Sequence, residues 1–156
     1  MVPKIPWIHD VPIKVTTFIW RGKLGRIPTN VELVRRGVQI PNTLCPQCSQ
    51  QDEDVYGNGL WCDIPVPRFV TIEALISFAK KWGRCSKKRN NLISVCYGTI
   101  WLLWKSRRDQ VFKNIHSTPT SVVDKVKSLV YSWLIHRRIQ CHHKWVEWCI
   151  CPLRCL

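Results

Sequence analysis

Cys45-Pro46-Gln47-Cys48 is the stretch whose residue types and spacing carry the clearest chemistry. Two thiolates separated by two residues can curl around one tetrahedral zinc ion, provided that two further ligands arrive from elsewhere. A lone pair also has an inert reading, two free thiols in a loop. Cys141-His142-His143 offers more ligating types, but adjacent side chains diverge on most backbones, so a solvated polar tail is the preferred reading there. Cys149, Cys151 and Cys155 lack a standard zinc spacing and read as oxidation-prone thiols. His9-Asp10 would join a catalytic constellation only if folding brought a nucleophile to it. The sequence shows neither a nucleophile motif nor a Gly-rich phosphate loop. Paired aspartates on a hairpin, able to hold two magnesium ions for nucleotide transfer, are not seen either, since Asp109 and Asp124 fall in basic helical stretches. The expectation is a chain with no catalytic residues.

A second chemistry is electrostatic. Lys and Arg number 24 against 10 Asp and Glu in 156 residues, a formal charge of +14 that favours a polyanionic partner such as RNA or DNA. The cations cluster as Lys80-Lys81, Lys87-Lys88-Arg89 and Lys105 with Arg107-Arg108, with a further pair at Arg137-Arg138. The first eight are the candidate nucleic-acid contacts, and the binding expected of them is non-specific and salt-dependent. The plainer alternative is a set of solvated helix faces. Nine Trp could stack on unpaired bases, but most stand at helical spacing beside other apolar residues, which favours the core.

Nine cysteines, an odd number, together with an N-terminus lacking an apolar signal region, predict a reduced intracellular protein, with nucleus and cytoplasm undistinguished. Neither a membrane span nor a small-molecule substrate is expected. Ile93 to Trp104 is too short to cross a bilayer and is flanked by cations. Cys155 is also misplaced for prenylation, since Leu153 stands four residues from the end.

The elements that position these residues read as mostly α: a small Cys-containing loop region flanked by helices, followed by a long helical hairpin. After an extended, proline-rich lead-in from Val2 to Pro12, the face made by Val15, Phe18 and Ile19 predicts a short helix over 13–24, ended by Gly25. Thr29 with Glu32 three residues on matches a capping box, and Gly37 follows the last turn, so a second helix is predicted over 29–36. Pro41 to Pro67 shows little periodicity. Thr71 then caps a helix carrying Ile72, Leu75, Ile76, Ala79 and Trp82, which ends at Gly83. Ser86 opens the longest helix, to about Lys113, with Leu92, Val95, Cys96, Thr99, Ile100, Leu103, Trp104 and Phe112 at spacings of three and four. Asn114 to Pro119 is the turn. The last long helix carries Val122, Val123, Val126, Leu129, Val130, Trp133 and Leu134 opposite Lys125, Lys127, Arg137 and Arg138. The tail from Cys141 to Leu156 shows no clear period.

Pro12-Ile13-Lys14-Val15 with Phe18 and Trp20-Arg21, then Arg26-Ile27-Pro28-Thr29, Leu33, Arg36-Gly37 and Cys45-Pro46-Gln47-Cys48 with Glu53, resembles the reverse-transcriptase zinc-binding domain. That domain lies at the C-terminal end of non-LTR retrotransposon reverse transcriptases abundant in plant genomes. The resemblance covers roughly residues 6 to 56. It continues in Ile100-Trp101 to Trp104-Lys105, Asp109 to Phe112 and Trp133, which look like the helical extension after the zinc motif. The family pattern adds a His and a third Cys after the Glu, closing the site with three thiolates and an imidazole. Here Gly57 stands about where that His should be. Cys62 looks like sequence from beyond the site, so an internal deletion is implied, leaving Cys45 and Cys48 as an incomplete zinc site.

This reading divides the chain into a degenerate zinc-binding domain (1–67), a helical extension (68–140) and a Cys/Trp-rich tail (141–156). It implies a non-catalytic relict of a reverse transcriptase, whose polymerase residues belong to an upstream part, retaining non-specific RNA or DNA binding. The alternatives are a protein-interaction module built on amphipathic Trp-rich helices, and a translated fragment without function.

Overall fold

The computed structural model describes residues 4–46, 49, 72–81, 85–137 and 144–150. These form six helices and no strand among the described residues: α1 (Ile13–Lys23), α2 (Asn30–Arg35), α3 (Ile72–Lys81), α4 (Ser86–Lys113), α5 (Pro119–Arg137) and α6 (Trp145–Ile150). The mostly α expectation holds. Among the described residues no helix is long and apolar enough to cross a membrane.

The helix ends follow from local chemistry. Leu24 closes α1, Gly25 turns left-handed at φ 62°, and the Arg26 N–H donates to the Arg21 carbonyl at 2.8 Å. Gly37, at φ 82°, ends α2 in the same way, with the Val38 N–H donating to the Leu33 carbonyl at 3.0 Å. At the start of α2 the Thr29 hydroxyl accepts from the Glu32 N–H at 3.3 Å. The reciprocal half of the capping box is replaced: the Glu32 carboxylate accepts from Arg35 at 2.7 Å, while the Thr29 N–H donates to the Ile27 carbonyl. Thr118 caps α5 by accepting from the Ser121 N–H at 3.2 Å.

The predicted hairpin is α4 against α5, and α4 is the axis of the molecule, since α1, α3 and α5 all pack on it. Leu92, Ile93, Tyr97, Ile100 and Leu103 of α4 are buried against Val122, Val126, Val130, Trp133 and Leu134 of α5 and Ile72, Leu75, Ile76 and Ala79 of α3. Val15 and Ile19 of α1 complete this core, with Ile5, Ile8 and Val11 from the lead-in. The Tyr97 hydroxyl fixes that lead-in by donating to the Pro6 carbonyl at 3.1 Å. Burial of apolar surface at roughly 25 cal/mol per Å² makes this one shared core the main source of stability.

Two expectations need correction. Phe112, placed on the apolar stripe of α4, is 76% exposed, because nine residues at about 100° each carry it to the side of the helix opposite Leu103. Part of the aperiodic tail is helical: α6 is short, yet its Trp148 is buried and its indole N–H donates to the Lys127 carbonyl at 2.8 Å. Trp145 also meets the Tyr131 ring, 4.9 Å between centroids, and two aromatic anchors on a six-residue helix are too few for a period to be read. Thr71, Trp82, Gly83 and Arg138 lie outside the described residues.

Candidate zinc-loop and nucleic-acid sites

Cys45 follows α2 on a loop that side chains hold by its carbonyls. Asn30, the first residue of α2, donates from Nδ2 to the Leu44 carbonyl at 2.9 Å. Gln110 reaches from α4 to donate to the Pro46 carbonyl at 2.6 Å. Asn42 accepts from the Leu44 N–H at 3.1 Å, and the Ser49 N–H donates to the Cys45 carbonyl at 2.8 Å with Ser49 at φ 54°. Cys45 is only 2% exposed. Backbone groups flanking the thiol are therefore fixed by the protein itself, each bond contributing about 0.5–1.5 kcal/mol.

Behind Asn30 stands Arg107. Its guanidinium lies over the Trp104 ring, 4.8 Å from the centroid, and Nη2 donates to Asn30 Oδ1 at 3.4 Å. Trp104 packs in turn on Phe18 of α1, ring centroids 5.8 Å apart. A row of contacts thus runs from α1 through Trp104, Arg107 and Asn30 to the loop. Sequence reasoning missed Asn30 and Gln110, which have no motif of their own. Their roles depend on chain segments far apart in sequence.

Of the predicted metal ligands, Cys45 is placed as described, while Cys48 lies outside the described residues, as do Cys62 and Cys141-His142-His143. Among the described residues no three His, Cys, Asp or Glu side chains gather as a metal-binding group. The placed half is held at its backbone, since the carbonyls on both sides of Cys45 accept from Asn30 and Gln110. Cys85 is exposed at the start of α4, and Cys149 is half-buried on α6.

The candidate phosphate contacts divide into three groups. Lys80 and Lys81 end α3, and Lys87, Lys88 and Arg89 lie in the first turn of α4, so the α3–α4 junction gathers five cations. All are exposed except Arg89, which is half-buried, and none forms an ion pair among the described residues. Lys105 and Arg108 form a second group, exposed on the later part of α4 and on the same side as Lys87 after about five turns, ~27 Å along the helix. Arg107 departs from the expectation. It is 6% exposed and occupied by Trp104 and Asn30, because it continues the buried face of Ile100 and Leu103. That spacing of three and four was the available signal.

Asp109 lies among cations. Lys113 donates to its carboxylate at 3.1 Å and Arg108 approaches to 3.9 Å. The hydrogen bond from Lys113, followed by the charges of Lys113, Arg108 and Lys105, holds its proton affinity below the ordinary carboxylate range. Five of the seven described Trp residues are structural, while Trp7 and Trp145 are exposed. Trp133 and Trp148 are buried, and Trp20, Trp101 and Trp104 are half-buried against the core.

Residues 2–64 match the family model described as zinc-binding in reverse transcriptase. The matched stretch takes in α1, α2, Cys45 and Cys48, and also reaches Cys62. No curated protein and no solved structure matches the chain.

Proposed function

We propose that this chain is a non-catalytic relict of the zinc-binding region of a plant-type non-LTR reverse transcriptase, retaining non-specific binding of RNA or DNA. The observation that carries this reading is the match of residues 2–64 to the zinc-binding family model, joined to the largely exposed cations on helices packed against that region.

Cys45 and Cys48 are the proposed zinc thiolates of a site missing its family His. Zinc supplies no reaction here. It would crosslink the loop, and two thiolates alone would hold it weakly. The rest of the motif is proposed to have been lost by deletion, with Cys62 the test of that view because it falls within the matched stretch.

Lys80, Lys81, Lys87, Lys88 and Arg89 are the proposed backbone-phosphate contacts at the α3–α4 junction, with Lys105 and Arg108 farther along α4. Phosphate contacts of this kind position a strand without reading its sequence. Because each phosphate neutralised releases counterions, affinity falls steeply with salt.

Titrating the full chain with fluorescent single- and double-stranded oligonucleotides of unrelated sequence, at several salt concentrations, tests the reading. Similar affinities across sequences, with a log–log salt slope of roughly −3 to −5, support it. Salt-independent binding, or none at low salt, refutes it. Elemental analysis of the reduced protein and of Cys45→Ser, Cys48→Ser and Cys62→Ser addresses the metal. About one zinc per chain, lost with Cys62→Ser, would show that the site is complete and the deletion view wrong.

A further inference from the structure

Between the last third of α4 and the first turns of α5 lies a cavity of about 130 Å³. On this measure one water needs only ~10–15 Å³, so there is room for a polyatomic guest. Lys105 and Ser106 enter from α4, Lys125 enters from α5, and Ser117 enters from the turn between them, over a floor that includes Val122. Asp109 is the one carboxylate on the lining, and it is ion-paired with Lys113 at 3.1 Å.

The charge balance of this cavity is lopsided. Lys105 and Lys125 come from separate helices that the hairpin brings together, although two ammonium groups sharing one cleft repel each other. Arg108 and Lys113 pair with the Asp109 carboxylate at 3.9 and 3.1 Å, and the charge of Lys105 also acts on it. The Ser117 hydroxyl on the wall adds a donor. A tetrahedral oxyanion uses such a set fully, since its oxygens accept from ammonium and hydroxyl groups at once and its charge relieves the repulsion.

We infer that this cleft is a discrete site for one phosphate group, with Lys105 and Lys125 as its charged partners. The site deepens the phosphate role proposed for Lys105 and rests on that reading, whereas the diffuse binding proposed for the α3–α4 junction, about five turns away, can fail without it. The phosphate group itself is the recognised chemistry. A terminal phosphate of a strand and an internal phosphodiester are its two sources.

The experiment is an amide NMR titration of the full chain with inorganic phosphate at constant ionic strength, repeated with Lys105→Met/Lys125→Met and with Lys87→Ala/Lys88→Ala. Saturable shifts centred on Ser106, Ser117 and Val122, weakened about tenfold by the cleft variant and unchanged by the junction variant, are the expected result. Both variants replace exposed side chains, and unchanged melting temperatures confirm that folding is intact. Shifts that do not saturate, or saturable shifts indifferent to the cleft variant, would overturn the assignment. Short oligonucleotides with and without a 5′-phosphate then identify the source. Tighter binding of the phosphorylated strand, lost in the cleft variant, assigns the site to strand ends. Equal binding weakened by the cleft variant assigns it to internal phosphodiesters, and equal binding that the cleft variant leaves unchanged excludes nucleic acid as the source.

Discussion

Gly98 of α4 lies under Val130 of α5 so closely that a Cβ placed on it would stand 2.8 Å from Val130 Cγ2. The Trp133 ring closes the same spot from the side, at 3.6 Å. The two long helices approach there because one of them carries no side chain, and the packing of the hairpin depends on it.

Gly98→Ala therefore sets two effects against each other. Alanine favours a helix by about 0.8–1.0 kcal/mol, while overpacking a tight core costs ~1–3 kcal/mol. The expected result is net destabilisation of about 1 kcal/mol, growing with Gly98→Val. Val130→Ala removes the opposing methyl groups, so the double variant should be more stable than additivity allows. Denaturant unfolding of the four proteins checks this, and strict additivity would mean that the contact is relaxed in solution.

Trp148 is 1% exposed, with its indole N–H on the Lys127 carbonyl and its ring tilted beside Tyr131 at 6.1 Å. Lys127 answers by donating to the Cys149 carbonyl at 3.2 Å. Because α6 is so short, this anchor is expected to decide whether it docks at all. Trp148→Ala should abolish amide protection in α6, leave protection across the centres of α4 and α5, and remove up to about 3–5 kcal/mol. Hydrogen exchange read by mass spectrometry separates local undocking from global unfolding.

The described thiols should differ in reactivity by orders of magnitude. Cys85 precedes α4, and the N–H groups of Lys88 and Lys87, aided by their ammonium charges, lower its proton affinity. Cys96 is half-buried against the core, and burial pushes its thiol up to about 12. A lowered value means more thiolate at neutral pH, so Cys85 should be alkylated faster than an unstructured thiol at pH 7. Its advantage should shrink as the pH rises and ordinary thiols ionise too. Cys96 should stay unmodified below about pH 11 while the chain is folded. Alkylation with peptide mapping at several pH values gives the order directly. Equal rates for the two would contradict the structure.

Gln110 and Asn30 should control access to Cys45. Gln110→Ala removes the donor to the Pro46 carbonyl, and Asn30→Ala frees Leu44 and takes away the acceptor of Arg107. Each is expected to cost about 1–2 kcal/mol and to raise the alkylation rate of Cys45 without changing that of Cys85. Gln110→Glu, which keeps the size but cannot donate, should behave like the alanine variant. Recovery of protection in that variant would show that volume and not the hydrogen bond holds the loop.

Much of the backbone was legible in the residues themselves. Ser86 and Lys113 bound α4 as the periodicity predicts, Gly25 and Gly37 turn left-handed where helix stops were expected, and Thr29 and Thr118 cap as their types suggest. Such features depend on neighbours within one or two turns, so the local sequence contains all the physics involved. The motif Cys45-Pro46-Gln47-Cys48, and its likeness to a zinc-binding family, was legible for the same reason.

What only the tertiary structure decided is which groups meet across long separations. Nothing near Arg107 says that it ends on Trp104 and Asn30, nor that Gln110 holds the carbonyl beside Cys45. The same holds for Lys125, brought by the hairpin into one cleft with Lys105. Helical periodicity fixes the face a residue occupies along its own axis. Whether that face meets a core, a carbonyl, another cation or water depends on how the helices cross, and that follows from packing such as the Gly98–Val130 approach.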